Sequence, residues 1–431
     1  MIRYLQLTNV GPAKEMELFF GKRLNVLTGD NGLGKSFLLD IAWWAMTRKW
    51  PADINPNLTA GKKALPASVG RASISFSFIG KSKKEQYKSS FVRKVQAWTG
   101  RPGRPANPGL VLYAMADGSF AVWDPARNYW RTQGGVDVQD RPPAYVFAPN
   151  QVWDGLPGDE GKWLCNGIIR DWAGWQKENG RPFKNLCSVL KALAPSETEP
   201  LIPGELTRIS LDDVRDMPTI RMPYGQDVAV LHASAGMRRI MALAYFLVWA
   251  WEEHQKAARL LGEKRTSQAV FLVDEVESHL HPSWQRKIVP TLIKVMDSLA
   301  KPAQVQVLTA THSPLIMASL EQLFDDKKDA WFDLDLIPEK KGKYRVELTE
   351  REFVRRGDVC NWLMSEAFDL GSARSMEAEN VLNQASVALT DENFGAKEAK
   401  KLDTKLRAVL GDTDPFWMRW RFVAEKRGWL S

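Results

Sequence analysis

The chain has 431 residues, of which 44% are hydrophobic and 26% charged, a balance that fits two or three globular units and excludes general disorder. No apolar run reaches the roughly 18 residues of a membrane span, and "MIRYLQLTNV" lacks a signal-peptide core, so a cytoplasmic protein away from membranes is expected. Cys165, Cys187 and Cys360 lie far apart without a CxxC pair, which speaks against a disulfide framework or a zinc site.

The net charge of +8 is concentrated. Between Lys62 and Arg104 there are eleven cations against Glu85 alone, which leaves the rest of the chain slightly acidic. Lys81, Lys83, Lys84, Lys88, Arg93 and Lys94 are the expected contacts to a phosphate-bearing polymer, DNA or RNA. A solvated Lys-rich hairpin would have the same composition.

In chain order, "IRYLQL", "MELFF" and "LNVLTGD" read as short strands, the last ending in a Gly-rich turn. "KSFLLDIAWWAMTRKW" has helical spacing and stops at Pro51. "ASISFSFIG" alternates like a strand, and Asp117-Gly118 between apolar runs predicts a hairpin. "AYVFAP" is a buried-type strand, 163–193 is mostly helical, and a Pro-rich connection follows. A long helix is expected from Ser234 to Leu261, then the strand "AVFLVDE", a helix from Ser283 to Leu299, and the strand "VQVLTATHSP". "AWFDLDLIP" and "KYRVELTE" suggest a last strand pair before a helical C-terminal region. Strands alternating with helices imply an α/β fold with a mixed or mostly parallel sheet flanked by helices.

"GDNGLGKS" (Gly29, Asp30, Asn31, Gly32, Leu33, Gly34, Lys35, Ser36) fits GxxxxGK[ST] between a strand and a helix. Its backbone N–H groups would wrap a β-phosphate, Lys35 would reach the β- and γ-phosphates, and the Ser36 hydroxyl would ligate Mg²⁺. "AVFLVDEVESHLHP" delivers two carboxylates from the end of a buried strand. Asp274 is expected to orient Mg²⁺ and Glu275 to polarise the attacking water. His312 follows the next buried strand, where a γ-phosphate sensor would sit. Gln151 ends another strand and could contact Mg²⁺ or the water, although the adjacent Asn150 could do the same. His279 and His281 form an HxH pair without further ligands at metal spacing, so a structural or interface role is expected of them. Ser234-Ala235-Gly236 is an N-cap before an apolar helix, and a helix N-terminus with free N–H groups also suits a phosphate.

In this order, phosphate loop, Gln151, "ASAGM", "FLVDE" and "THSP", the motifs resemble an ABC-type ATPase head of the SMC, RecF and OLD group. "ASAGM" resembles the signature LSGGQ, keeping Ser234 and Gly236 but departing at the first, third and fifth positions. "DEVESHLHPSWQ" and "THSP" are similar to the DExExHLHPxxQ and THSP forms of OLD-like defence ATPases. The resemblance implies ATP and Mg²⁺ as cofactors and a homodimer or higher homo-oligomer in which Ser234 and Gly236 of one copy face the nucleotide held by another.

It further implies an N-terminal ATPase lobe over 1–60, a basic antiparallel β insert over 61–143, and a Q-loop and helical subdomain over 144–230. A lobe with signature, Walker B and His switch over 231–325 and a mainly helical, partner-docking region over 326–431, with Trp417 and Trp420 near its end, complete the expectation.

Asp333 and Asp335 give a DxD spacing without the Glu-Gly strand turn of a TOPRIM nuclease, and no HNH pattern occurs, so any cutting is expected from a separate chain. "RRGDVCNWLMSEAFDL", "RSMEAE" and "DPFWMRW" are similar to stand-alone ATPases of anti-phage systems such as Septu, which work with an HNH nuclease. A RecF-like DNA repair ATPase is the alternative within the same fold.

Overall fold

A computed structural model describes residues 1–79, 84–100, 107–129, 141–301 and 303–429, so Lys81 and Lys83 lie outside the described residues. The chain divides into two units, Met1–Gly357 and Asp358–Ser431.

The first unit begins with strands β1 (Ile2–Thr8) and β2 (Glu15–Phe19), whose alternating burial marks a sheet with one solvated face. They pair antiparallel, and β4 (Ser73–Ile79), β5 (Lys84–Val92) and β6 (Ala97–Thr99) extend them into a five-stranded sheet in the order β2-β1-β4-β5-β6. Between them the chain enters the second sheet through β3 (Leu24–Gly29), all six residues of which are buried. Only a strand covered on both faces is so uniformly buried, polar Asn25 and Thr28 included.

β3 feeds α1 (Lys35–Thr47), followed by a single turn, α2 (Pro51–Ile54), with Pro51 at its first position. α1 is wedged between the sheets: Trp43 meets Tyr113 of the central sheet at 6.2 Å, and Trp44 meets Phe76 of the antiparallel sheet at 6.0 Å. A helix covered on opposite sides has no polar face, which explains a sequence as apolar as "FLLDIAWWAM".

The central sheet continues with β7 (Leu110–Ala114), β8 (Phe120–Trp123) and β9 (Tyr145–Phe147). The stretch read as one β insert is therefore shared. Its strands through β6 lengthen the antiparallel sheet, whereas β7 and β8 pair with the central one. The fully buried pattern of β7 and β8 suits the interior position, and the half-polar β5 suits an outer one.

Helices α3 (Pro149–Asp154), α4 (Gly167–Glu178) and α5 (Arg181–Leu193) follow, with a small strand pair, β10 (Leu156–Pro157) and β11 (Trp163–Cys165). A three-stranded sheet, β12 (Ile202–Pro203), β13 (Thr219–Arg221) and β14 (Asp227–Ala229), leads into α6 (Ala235–Leu260). α6 runs 26 residues and buries aromatic side chains on two sides. Phe246 stacks on Phe120 at 4.4 Å, and Tyr245 stacks on Trp175 of α4 at 5.6 Å.

β15 (Gln268–Val273), α7 (Pro282–Gln285), α8 (Ile288–Leu299), β16 (Gln304–Ala310) and α9 (Pro314–Leu320) complete the α/β alternation. The helix expected from Ser283 to Leu299 is thus two helices. The break falls at Lys287, just after Gln285, whose side chain is anchored to the loop before α7 and to Ser313 while α8 packs on α5 and β16.

β17 (Ala330–Pro338) and β18 (Tyr344–Arg351) do form the expected antiparallel pair, but β17 also lies parallel to β3. The result is one eight-stranded sheet in the order β18-β17-β3-β16-β15-β7-β8-β9, parallel from β17 to β7. Asp333 and Asp335 serve this edge. Asp333 accepts from the Thr28 hydroxyl at 2.6 Å, and Arg351 pairs with Asp335 at 2.5 Å.

In the second unit, α10 (Val359–Leu363) precedes α11 (Met376–Thr390), α12 (Ala396–Val409) and α13 (Phe416–Lys426). The last three enclose their own core with Trp420 at the centre, its indole N–H donating to Asp403 at 2.9 Å. Trp417 and Trp420 are therefore core residues, and the exposed apolar side chains of α13 are Met418 and Phe422. Among the described residues no helix is long and apolar enough to cross a membrane.

Candidate functional site

The site is built where parallel strands β3, β15 and β16 end side by side. After β3 the chain turns through Gly29 (φ 121°), Gly32 (φ 80°) and Gly34 (φ 105°), all in the left-handed region, and enters α1. A Cβ on Gly29 would lie 2.2 Å from the Leu334 carbonyl oxygen, so that turn admits no side chain. Around Gly32 there is open space, which leaves the crest of the loop free for a ligand.

Lys35 lies back across the loop, its Nζ donating to the carbonyls of Gly29 and Asp30, each at 2.7 Å. Burial pushes this ammonium down to about 8, opposed by Asp274, Asp30, Glu275 and Glu277 nearby. Asp274 is 3% exposed at the end of β15. Burial pushes its carboxyl up to about 6, the Ser36 hydroxyl bonds to it, and its Oδ1 is buried without a hydrogen-bond partner. An orphaned carboxylate oxygen beside a Ser hydroxyl and a phosphate loop has the hard-oxygen character that Mg²⁺ takes, so these residues fit that ion.

Glu275 follows in the left-handed region (φ 44°), a backbone strain that turns the chain sharply away from β15. His312 is half-buried after β16, and burial together with the Lys35 charge lowers its pKa. Lys35, Ser36, Asp274, Glu275 and His312 are thus brought into one electrostatic neighbourhood.

Three residues to which the sequence analysis attached no role hold this neighbourhood together. The Glu277 carboxylate accepts from the backbone N–H of His312 and from the Thr311 hydroxyl (2.9 Å), with burial raising its pKa. Gln285 donates to the Leu280 carbonyl at 2.9 Å and accepts from the Ser313 hydroxyl at 2.6 Å. Arg239, 6% exposed on α6, donates to the carbonyls of Met115 (2.6 Å) and Asp274 (3.1 Å). Glu277 and Gln285 explain why DExExHLHPxxQ and THSP occur together: one loop clamps the other. The sequence signals for Glu277 were a third carboxylate after Asp274 and Glu275 and its fixed place in the DExExHLHPxxQ form.

His281 caps α7, its Nδ1 accepting from the Ser283 N–H at 3.3 Å, and His279 is exposed with φ 63°. No cluster of three metal-ligating side chains occurs among the described residues. Gln151 is tied into α3: its Oε1 accepts from Asn55 Nδ2 at 2.7 Å and from the Ala148 N–H at 2.9 Å. These contacts cap a helix start, and none of them reaches the phosphate loop.

At the start of α6, Ser234 is exposed and its hydroxyl accepts from the Met237 N–H at 3.3 Å. Gly236 is buried, and a Cβ there would meet the His279 carbonyl oxygen at 2.6 Å. Its lack of a side chain thus has a reason inside the chain. On the antiparallel sheet Lys88, Arg93 and Lys94 are exposed, Arg93 reaching the Ser68 carbonyl at 2.6 Å, and Lys84 opens β5.

A 400-residue alignment to Septu protein PtuA of Bacillus thuringiensis is 21% identical and covers 91% of this chain and 90% of that protein. The Retron Ec83 probable ATPase of Escherichia coli is 24% identical over 230 residues, 52% of this chain, so the match spans only 36% of that relative's length. Among solved structures, an Smc head bound to the C-terminal winged-helix domain of ScpA aligns over 81% of this chain and 98% of its own at 13% identity and a TM-score of 0.43. The Thermotoga maritima SMC head aligns over 82% and 99% at 13% identity and a TM-score of 0.39. Residues 24–318, from β3 through the phosphate loop, Asp274 and His312 to α9, match a single family model, and the chain belongs to that family, described as "AAA domain, putative AbiEii toxin, Type IV TA system".

Proposed function

We propose that the chain is an ABC-type ATPase that binds Mg²⁺-ATP, closes with a second copy around the nucleotide, hydrolyses it slowly and thereby controls a separate effector nuclease in anti-phage defence. The observation that carries the reading is the convergence of Lys35, Ser36, Asp274, Glu275 and His312 at the ends of β3, β15 and β16.

In this reading the loop N–H groups and Lys35 bind the β- and γ-phosphates, for which Lys35 exchanges its two carbonyl partners for phosphate oxygens. Ser36 and Asp274 are the residues that would hold Mg²⁺, which would supply charge neutralisation for the phosphates. Glu275 orients the attacking water and accepts its proton, and His312 meets the γ-phosphate from the other side. The exposed Ser234 cap and the N-terminus of α6 provide N–H groups and a positive dipole end for the nucleotide of another copy. A homodimer or higher homo-oligomer is the consequence.

Nearly full-length similarity to Septu protein PtuA supports the defence role over a repair role. The exposed Lys88, Arg93 and Lys94 support contact with DNA or RNA.

The test uses purified protein with and without Glu275→Gln. The variant should bind ATP with wild-type affinity, turn over at a rate lower by about a hundredfold or more, and sediment as a larger species with ATP. Unchanged turnover removes the assignment of Glu275, and an ATP-independent sedimentation coefficient removes closure between copies. Co-expression with a neighbouring nuclease gene, followed by purification of the tagged ATPase, tests the partner.

A further inference from the structure

At the opposite edge of the central sheet from the phosphate loop, α5, α6 and α8 leave a cavity of about 620 Å³ between them. Its position follows from topology. Arg265 and Lys301 precede β15 and β16, whereas the phosphate loop follows β3, which runs parallel to both. A strand of six or seven residues separates the two edges by about 20 Å. The cavity is therefore distinct from the nucleotide site.

Four cations line it, Arg181, Arg265, Lys294 and Lys301, against one carboxylate, Glu252. That carboxylate is already satisfied: it is 3% exposed and accepts from Arg181 at 2.6 Å and from Asn185 at 3.0 Å. Among the described residues Arg265, Lys294 and Lys301 form no ion pair, and all three are exposed. Lys294 and Lys301 belong to α8 and the turn after it, and Arg265 to the loop after α6, so the fold brings a distant cation to a local pair. Unneutralised cations crowded around a concave space repel one another and create a positive potential that a multivalent anion relieves. The volume is that of a small-molecule site, and hydroxyls and amides from Ser188, Ser298 and Gln255 add hydrogen-bonding groups to its walls.

We infer that this cleft binds a small ligand carrying two or more phosphates, such as a nucleoside polyphosphate, at a second site independent of the phosphate loop.

The test titrates inorganic tripolyphosphate, in magnesium-free buffer, into full-length protein by calorimetry, in a Lys35→Ala background that silences the first site. The background variant should bind one equivalent. Adding Arg265→Ala and Lys294→Ala should weaken that binding about tenfold or more, while Arg265→Lys with Lys294→Arg should keep it within about threefold. Arg265 and Lys294 are exposed, and thermal unfolding checks that each variant, the buried Lys35→Ala background included, folds.

Loss of all binding in Lys35→Ala overturns the proposal, and so does equal affinity with and without the two alanines. A third arm titrates a single-stranded decanucleotide into the same proteins. If it binds through Arg265 and Lys294 and tripolyphosphate fails to displace it, the cleft is a seat for nucleic acid and the small-ligand assignment falls.

Discussion

Replacing Gly236 by alanine separates two roles that the start of α6 could combine. The added Cβ would sit 2.6 Å from the His279 carbonyl oxygen, and the neighbouring backbone atoms lie only 3.5 and 3.7 Å away. The loop cannot simply retreat. His279 is held in the left-handed region, Glu277 two residues earlier is bonded to the loop of His312, and Gln285 holds the Leu280 carbonyl. Overpacking of this kind costs about 1–3 kcal/mol, set against a gain of up to about 1 kcal/mol from the better helix propensity of alanine. The net expectation is a loss of about 1 kcal/mol, seen as a fall in Tm of roughly 2–4 °C.

Because the displaced segment carries Glu277, turnover should fall even though nothing at the phosphate loop has changed. Scanning calorimetry, ATP affinity and turnover on the same preparation measure the three quantities. Ser234→Ala is the control, losing a long cap bond worth about 0.5–1 kcal/mol. If Gly236→Ala matches or exceeds wild-type Tm with unchanged turnover, the close approach to His279 is not a constraint and the argument fails.

Glu277→Ala should leave nucleotide affinity within about twofold and lower kcat about tenfold, because the His312 N–H and Thr311 hydroxyl lose their acceptor. Glu277→Gln keeps an acceptor oxygen and should recover most of that rate, and an alanine variant with wild-type kcat would show that the clamp does not position His312. Lys35→Ala should weaken ATP binding by about a hundredfold in equilibrium dialysis, and unaltered affinity would remove the phosphate-loop assignment.

Asp40, on α1 and bonded by the Tyr113 hydroxyl at 2.9 Å, is pushed up to about 7 by desolvation. A raised carboxyl stabilises the fold fully below its unfolded value near 3.8, and that contribution is lost as pH rises through about 7. Asp40→Asn should therefore stabilise the protein at pH 8 by on the order of 2 kcal/mol, allowing for partial solvent access, and flatten its urea stability between pH 4 and 7. An unchanged pH slope would show that another group is responsible.

The sequence by itself determined the elements whose causes are local. The glycine spacing of "GDNGLGKS" is forced by three left-handed positions, one of them pressed against Leu334, so it could be recognised without the fold. The buried strands ending in Asp274 and before His312 were equally legible, since a run covered on both faces is mostly apolar, with buried Gln306 and Thr309 the exceptions.

What the tertiary structure decided was everything that depends on segments distant in the chain. The sequence could not show that β17 joins β3, that Trp417 and Trp420 close a core, or that Gln151 is occupied capping α3. Nor could it show that Gly236 makes room for a carbonyl 43 positions later, or that Glu277 and Gln285 clamp the His312 loop. Local sequence sets φ/ψ, periodicity and the chemistry of each side chain. Only packing fixes which of those side chains meet, and at this site the meeting of residues from three strands' ends and one long helix creates the chemistry.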